Sequence, residues 1–175
     1  MNLPNKLTIL RILLVPVCAY LAAVGEHIPA AVVFAVAALT DTLDGIIARK
    51  RHLVTNFGKF ADPIADKVLV LSMLIALTYR HVLPVWLPIV VVFRELMVDG
   101  LRMVAAEHGM VVPAGWSGKI KTVSQMILIL IALLTQAVHP LDMTLLSVIV
   151  CALTLYSGLE YFLKLSDLFK GDFGK

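Results

Sequence analysis

Apolar runs of membrane-spanning length follow one another along the whole chain, separated by short polar connections. Six of them, at about residues 7–24, 29–48, 63–79, 84–105, 120–137 and 141–163, suit helices crossing a hydrocarbon core, which takes roughly 20 residues. The connections carry helix punctuation: Gly25 to Pro29, His52 to Gly58, His81 to Pro84, Gly109 to Gly118, and His139 to Pro140. Pro29, Pro84 and Pro140 stand near the starts of runs, where a missing N–H costs least. The opening stretch from Asn2 to Arg11 is amphipathic enough to lie along the interface, with Asn5 as its candidate cap. The pattern predicts an all-α fold: an integral membrane bundle of six transmembrane helices with a short N-terminal interfacial amphipathic segment. It forms one domain over residues 1–175, with no internal repeat and no low-complexity segment.

Composition agrees. The chain of 175 residues is 60% hydrophobic and 15% charged, with a mean hydropathy of +0.93. A soluble domain sits nearer half apolar with about a quarter charged. Cys18 and Cys151 both lie in apolar runs, which suits buried structural thiols rather than a disulfide framework. The first run lacks a small-residue cleavage site followed by a soluble domain, so it reads as a retained helix.

The net charge of +3 matters less than its placement. With six spans, both termini share one side with the second and fourth connections. That side carries Lys6, Arg11, Arg49, Lys50, Arg51, Lys59, Lys67, Arg102, Lys119, Lys121, Lys164, Lys170 and Lys175, while the other keeps Arg80. The asymmetry predicts that both termini are cytoplasmic.

Ionised side chains in hydrocarbon cost about 2.5–3.5 kcal/mol each at mid-membrane on insertion scales. Yet the second run ends with Asp41, Asp44, Gly45, Ala48 and Arg49, and the third is led in by Gly58 and Asp62, with Asp66 and Lys67 in its first turn. Asp41 and Asp44 are i,i+3 neighbours, and Asp62 and Asp66 are i,i+4 neighbours, so each pair shares a helix face. A short connection makes the two helices antiparallel partners, letting the pairs converge near the cytoplasmic surface. Four adjacent carboxylates repel or bind protons unless cations neutralise them. Hard oxygen ligands suit Mg²⁺ or Mn²⁺, and two metals sharing carboxylates can grip a pyrophosphate. Gly45 and Ala48 permit close approach of a ligand, and Arg49 can pair with phosphate oxygens. The bland alternative is hydrated helix ends paired with Arg49, Lys59 and Lys67. That suits one aspartate better than two pairs at helical spacing on consecutive helices.

The run Asp41-Thr-Leu-Asp44-Gly45-Ile-Ile-Ala48-Arg49, then Gly58, Asp62 and Asp66, resembles the signature of the CDP-alcohol phosphatidyltransferase family at all eight fixed positions over 26 residues. The resemblance implies a six-helix membrane enzyme, commonly a homodimer, that uses two divalent cations. By the same resemblance, Asp41, Asp44 and Asp62 hold one metal and Asp41, Asp62 and Asp66 the second. Gly45, Ala48, Arg49 and Gly58 border the CDP moiety, and Asp66 also serves as general base. A multi-pass protein of the bacterial inner membrane with a cytoplasmic active site follows. Its expected partners are CDP-diacylglycerol, an acceptor alcohol and membrane lipids, and not nucleic acid.

Charges in the later runs bear on the acceptor. Glu95, Asp99 and Arg102 stand at spacings of four and three, on one face of the fourth helix. Arg94 is offset from that face, and Lys119 and Lys121 open the fifth helix. Near the cytoplasmic surface, Arg102, Lys119 and Lys121 suit an anionic acceptor. The two lysines equally suit headgroup anchors, and Arg94 with Glu95 a buried structural ion pair. The opening from Asn2 through Thr8 to Arg11, Arg94-Glu95 with Leu101-Arg102, and Trp116 to Thr122 are similar to a bacterial subgroup of the family. Its acceptor is sn-glycerol 3-phosphate, its products phosphatidylglycerophosphate and CMP. Arg94, Arg102, Lys119 and Lys121 would then hold the acceptor phosphate. Asp99-Gly100 departs from that pattern, where small or hydroxyl residues are expected, as does Met103, where an acidic residue is common.

Other acceptors, such as inositol phosphate or serine, fit the same chemistry. A cation-coupled transporter also uses intramembrane acids, but it predicts acids near the midplane on discontinuous helices and inverted repeats, which this sequence lacks. A noncatalytic scaffold would not require four aspartates. The histidines at 27, 52, 81, 108 and 139 show no metal-site spacing, and Trp86 and Trp116 suit interfacial anchoring.

Overall fold

The computed structural model describes residues 3–50, 55–110, 113, 115–135 and 140–166, without the side chains of residues 3–4, 41–50, 56, 59 and 140. Among the described residues every regular element is a helix: α1 (Leu3–Val24), α2 (His27–Lys50), α3 (Asn56–Tyr79), α4 (Trp86–Glu107), α5 (Trp116–Leu134) and α6 (Pro140–Leu165). The helices have 19 to 26 residues, or roughly 28–39 Å at 1.5 Å per residue. Each apolar run has one helix as its counterpart among the described residues.

Three segments, Asn5–Val24, Trp116–Leu134 and Leu141–Leu165, are long and apolar enough to cross a membrane by length and composition. In α2, α3 and α4 ionisable residues interrupt the apolar sequence. Large apolar side chains nevertheless stand exposed on all six helices, among them Leu13, Leu39, Ile75, Leu96, Ile127 and Leu155. Water-soluble proteins rarely leave such surface uncovered. This is a membrane protein, and helices suit it because each satisfies its own backbone hydrogen bonds.

Three helices stop in the same way. At the ends of α1, α3 and α4 the chain turns left-handed at Gly25 (φ 92°), His81 (φ 58°) and Gly109 (φ 72°). The next residue's N–H bonds back to the carbonyl five positions earlier: Glu26 to Leu21 (2.9 Å), Val82 to Leu77 (3.0 Å), Met110 to Ala105 (2.9 Å). This is the Schellman closure, which satisfies carbonyls left over at a helix end. Pro16 and Pro63 lie inside α1 and α3, each removing one helical hydrogen bond.

The chain divides into two compact units, one of Met1–Leu83 with Ile129–His139, the other of Pro84–Leu128 with Pro140–Lys175. In the first, α1 packs extensively against both α2 and α3, and among the described residues α2 and α3 touch each other less. Small residues at the contacts, Ala22, Ala30, Ala37, Ala65 and the half-way Cys18, are fully buried and let backbones approach closely. Phe34, Leu69, Met73 and Leu77 fill the remaining space. In the second unit α4 packs on α6 around Val98, Leu101, Ala105, Tyr161 and Leu165. Gln125 Nε2 donates to Thr154 Oγ1 (3.2 Å), a buried polar tie between α5 and α6.

Three sequence-based expectations change. The stretch from Asn2 to Arg11 is not an interfacial segment set apart from the first span, because its described part runs unbroken within α1 from Leu3. Thr8 and Arg11 are buried in it, so this end is packed against protein. Arg11 Nε donates to Ala37 O of α2 (3.2 Å). The third helix starts more than a turn before Asp62, because Thr55 caps it by accepting from Gly58 N (3.0 Å). Both cysteines are free, as expected, but Cys151 is only partly buried. Cys18 is buried and donates to Ala30 O (3.4 Å) beside Met73 Sδ (3.3 Å).

Candidate active site

The signature residues occupy two helices of the first unit. Asp41, Asp44, Gly45, Ala48 and Arg49 lie on the last turns of α2, and their side chains lie outside the described residues. Gly58, Asp62 and Asp66 lie in the N-terminal half of α3. Because α3 starts at Asn56, Asp62 and Asp66 both belong to continuous helix one turn apart, and both are half-buried.

Asp62 is held from α1. Thr8, itself buried, donates its hydroxyl to Asp62 Oδ1 at 2.6 Å, within the range of a charge-assisted O–H···O⁻ bond. Two residues on the same face of α1 reach the neighbouring helices. Asn5 Oδ1 accepts from Thr55 Oγ1 (2.8 Å) at the start of α3, and Arg11 bonds α2 at Ala37. Gly58 is buried here, and a Cβ on it would stand 3.3 Å from Thr55 Oγ1, 3.5 Å from Asn5 Oδ1 and 3.5 Å from Asp62 Oδ2. It lies in a cradle lined by oxygen atoms that any side chain would fill.

Among the described residues no three His, Cys, Asp or Glu side chains converge as a metal site; Asp41 and Asp44 fall outside that description. Among the described residues, the donors at this end of the unit are carboxylate and hydroxyl or amide oxygens, which fit a hard divalent cation.

The basic residues expected at an acceptor phosphate belong to the second unit. Arg94, Glu95 and Lys121 are buried together. Glu95 Oε1 takes both Arg94 NH1 (3.3 Å) and Lys121 Nζ, and Arg94 Nε donates to Ser157 Oγ (3.1 Å). Gly158 of α6 makes room for this arginine: a Cβ there would come within 3.1 Å of Arg94 Cγ. Arg102, half-buried, lies over the Tyr161 ring (5.1 Å to its centroid) and donates to its hydroxyl (2.8 Å). Tyr161 in turn donates to Pro113 O (2.7 Å) in the connection between α4 and α5. Lys119 is exposed, with its ammonium 4.8 Å from the Trp116 ring centroid.

The structure thus joins Arg94 and Lys121 through one carboxylate and separates Lys121 from Lys119. Sequence reasoning did not find Thr8 as a partner of Asp62 or Tyr161 as a partner of Arg102. The first had a signal: Asn5, Thr8 and Arg11 recur every three residues as a polar stripe on an apolar helix. The second had none, since 59 residues separate its members.

Known proteins supply an independent comparison. The sequence model described as CDP-alcohol phosphatidyltransferase matches residues 1–158. The CDP-diacylglycerol–glycerol-3-phosphate 3-phosphatidyltransferase of Bacillus subtilis (strain 168) is 41% identical over 186 residues, covering 93% of this chain and 94% of that one. The probable phosphatidylglycerophosphate synthase of Mycobacterium tuberculosis (strain ATCC 25618 / H37Rv) is 41% identical over 170 residues, covering 91% and 79%. The Escherichia coli (strain K12) CDP-diacylglycerol–glycerol-3-phosphate 3-phosphatidyltransferase is 40% identical over 133 residues, covering 72% and 73%. With its signature on α2 and α3 and a match over most of its length, this chain belongs to the CDP-alcohol phosphatidyltransferase family and most resembles the bacterial phosphatidylglycerophosphate synthases.

Proposed function

We propose that this enzyme transfers the phosphatidyl group of CDP-diacylglycerol to the 1-hydroxyl of sn-glycerol 3-phosphate, giving phosphatidylglycerophosphate and CMP. The observation that carries the reading is the similarity, at about 40% identity, to relatives named for that reaction. In this reading the 175 residues work as one domain of six spans, with both termini and the site on the cytoplasmic side, where the basic residues concentrate. The acyl chains stay in the bilayer while the CDP head is bound near the ends of α2 and α3. A homodimer is the expected assembly.

Asp41, Asp44, Asp62 and Asp66 would hold two divalent cations, Mg²⁺ or Mn²⁺. Such cations, when bound, offset the charge of a pyrophosphate and of the oxygens that attack and leave. Asp66 accepts the proton of the acceptor's 1-hydroxyl. That oxygen forms a bond to the lipid-side phosphorus as the bond from this phosphorus to the bridging pyrophosphate oxygen breaks. The bridging oxygen and its electron pair leave with CMP. Gly45, Ala48 and Gly58 leave space beside the CDP moiety, and Arg49 pairs with its phosphate oxygens. Arg94, Arg102, Lys119 and Lys121 are the candidates for the acceptor phosphate; Arg94 and Lys121, already paired with Glu95, would keep a surplus of positive charge for it. Positioning and electrostatics supply most of the acceleration in such transfers.

The test is CMP release from purified protein given CDP-diacylglycerol, Mg²⁺ or Mn²⁺, and a panel of acceptors. Release is expected with glycerol 3-phosphate, to be lost with chelator, and to fall at least about 100-fold in Asp66→Asn, the usual scale of a general base. Release with inositol phosphate or serine but not glycerol 3-phosphate would overturn the acceptor, and near-normal turnover of Asp66→Asn would overturn its role as base.

A further inference from the structure

We propose that Thr8 is a positioning residue for the metal site. It fixes the Asp62 carboxylate by occupying Oδ1, so that Oδ2 is the atom left for a divalent cation. The inference rests on the reading of Asp62 as a metal ligand.

Three observations carry it. Thr8 is 1% exposed, so in its apolar surroundings the hydroxyl proton goes to a protein acceptor rather than to water. The acceptor is Asp62 Oδ1 at 2.6 Å, 54 residues away in sequence, so the bond ties α1 to α3 rather than capping α1 locally. Thr8 also stands in the middle of a stripe whose other members grip the same surroundings. Asn5 meets Thr55 at the cap of α3, and Arg11 meets α2 at Ala37, four residues before Asp41. α1 packs extensively against both α2 and α3, so it helps to set the two aspartate-bearing helices in register. A free aspartate turns about χ1 and χ2, and ordering it on binding a cation costs conformational entropy. A neutral donor that orders it beforehand removes that cost without competing for the metal, as a second cation would. Partners of this kind typically contribute about 10–100-fold in metal affinity.

Thr8→Val keeps the shape and removes the donor, Thr8→Ser keeps the donor, and Asp62→Asn tests the underlying reading. Mn²⁺ affinity of the purified, substrate-free protein is measured by the loss of the free-ion paramagnetic resonance signal. The Mg²⁺ concentration for half-maximal CMP release and the melting temperature without metal are measured alongside. Thr8→Val is expected to weaken Mn²⁺ binding about tenfold and to raise the half-saturating Mg²⁺ more than it lowers turnover at saturating metal, with Thr8→Ser close to the parent. Parent-like Mn²⁺ affinity in Thr8→Val, with weakened binding in Asp62→Asn, overturns the role of Thr8 alone. Parent-like affinity in Asp62→Asn overturns the reading of Asp62 as a ligand. A lowered metal-free melting temperature in Thr8→Val, with Mn²⁺ affinity not restored by Thr8→Ser, assigns Thr8 to stability only and also overturns the proposal. If Thr8→Val does not fold, Thr8→Ala carries the same comparisons.

Discussion

Glu95 sits between two cations, Arg94 and Lys121, with all three side chains buried. Removing one partner from such a group leaves charge stranded without water, whereas the intact group roughly balances its own desolvation. Glu95→Gln, which keeps size and removes the charge, is expected to lower unfolding stability by about 3 kcal/mol, read by denaturant titration in detergent micelles. An unchanged midpoint would show that the two cations find other partners. The sequence carried the first half of this arrangement, since an adjacent Arg94 and Glu95 in an apolar run must be accounted for. It did not distinguish Lys119 from Lys121. Two residues apart on a helix they point roughly 200° from each other, and with α5 beginning at Trp116 one is buried and the other exposed.

At the scale of the element, the helices were legible because their runs are long and their breaks carry glycine and proline. Gly25 and Gly109 mark the ends of α1 and α4 by supplying the left-handed residue that a Schellman closure needs. His81 occupies the same position at the end of α3 with φ 58°, at a cost of roughly 1–2 kcal/mol for a residue with a Cβ. His81→Gly is therefore expected to raise stability by about 1 kcal/mol, seen as a higher melting temperature in detergent; a lower one would mean that the imidazole makes a contact worth more than the strain. The start of α3 lies earlier than the sequence suggests because the apolar run itself begins only at residue 63. Thr55 provides the earlier start by capping Gly58 N, and the helix then carries Pro63 in its interior at the loss of one hydrogen bond.

For the whole molecule, the outward apolar surface decides the solvent. Leu155, near the middle of α6, is half exposed and is one of many large apolar side chains exposed on all six helices, a surface that suits hydrocarbon rather than water. Leu155→Arg is expected to reduce insertion of α6 by about 2.5–3.5 kcal/mol, measured by glycosylation mapping of inserted and uninserted chains. Equal insertion would place this side chain against water or a polar partner.

The sequence by itself determined the helical membrane architecture and the spacing of the four aspartates on α2 and α3. Both are local properties: hydrocarbon demands runs of about 20 apolar residues, and residues three or four apart share a helix face whatever surrounds them. Only the tertiary structure decided which polar groups meet. Thr8 and Arg11 looked like parts of an interfacial segment, yet Arg11 is buried against α2 and Thr8 holds Asp62, and Tyr161 reaches Arg102 across 59 residues. Such contacts depend on how helices pack side by side, which the apolar pattern of any one helix does not encode. The aspartates thus declare themselves in the sequence, whereas the polar stripe of α1 that includes Thr8 gains its partner Asp62 only once α1 is laid against α3.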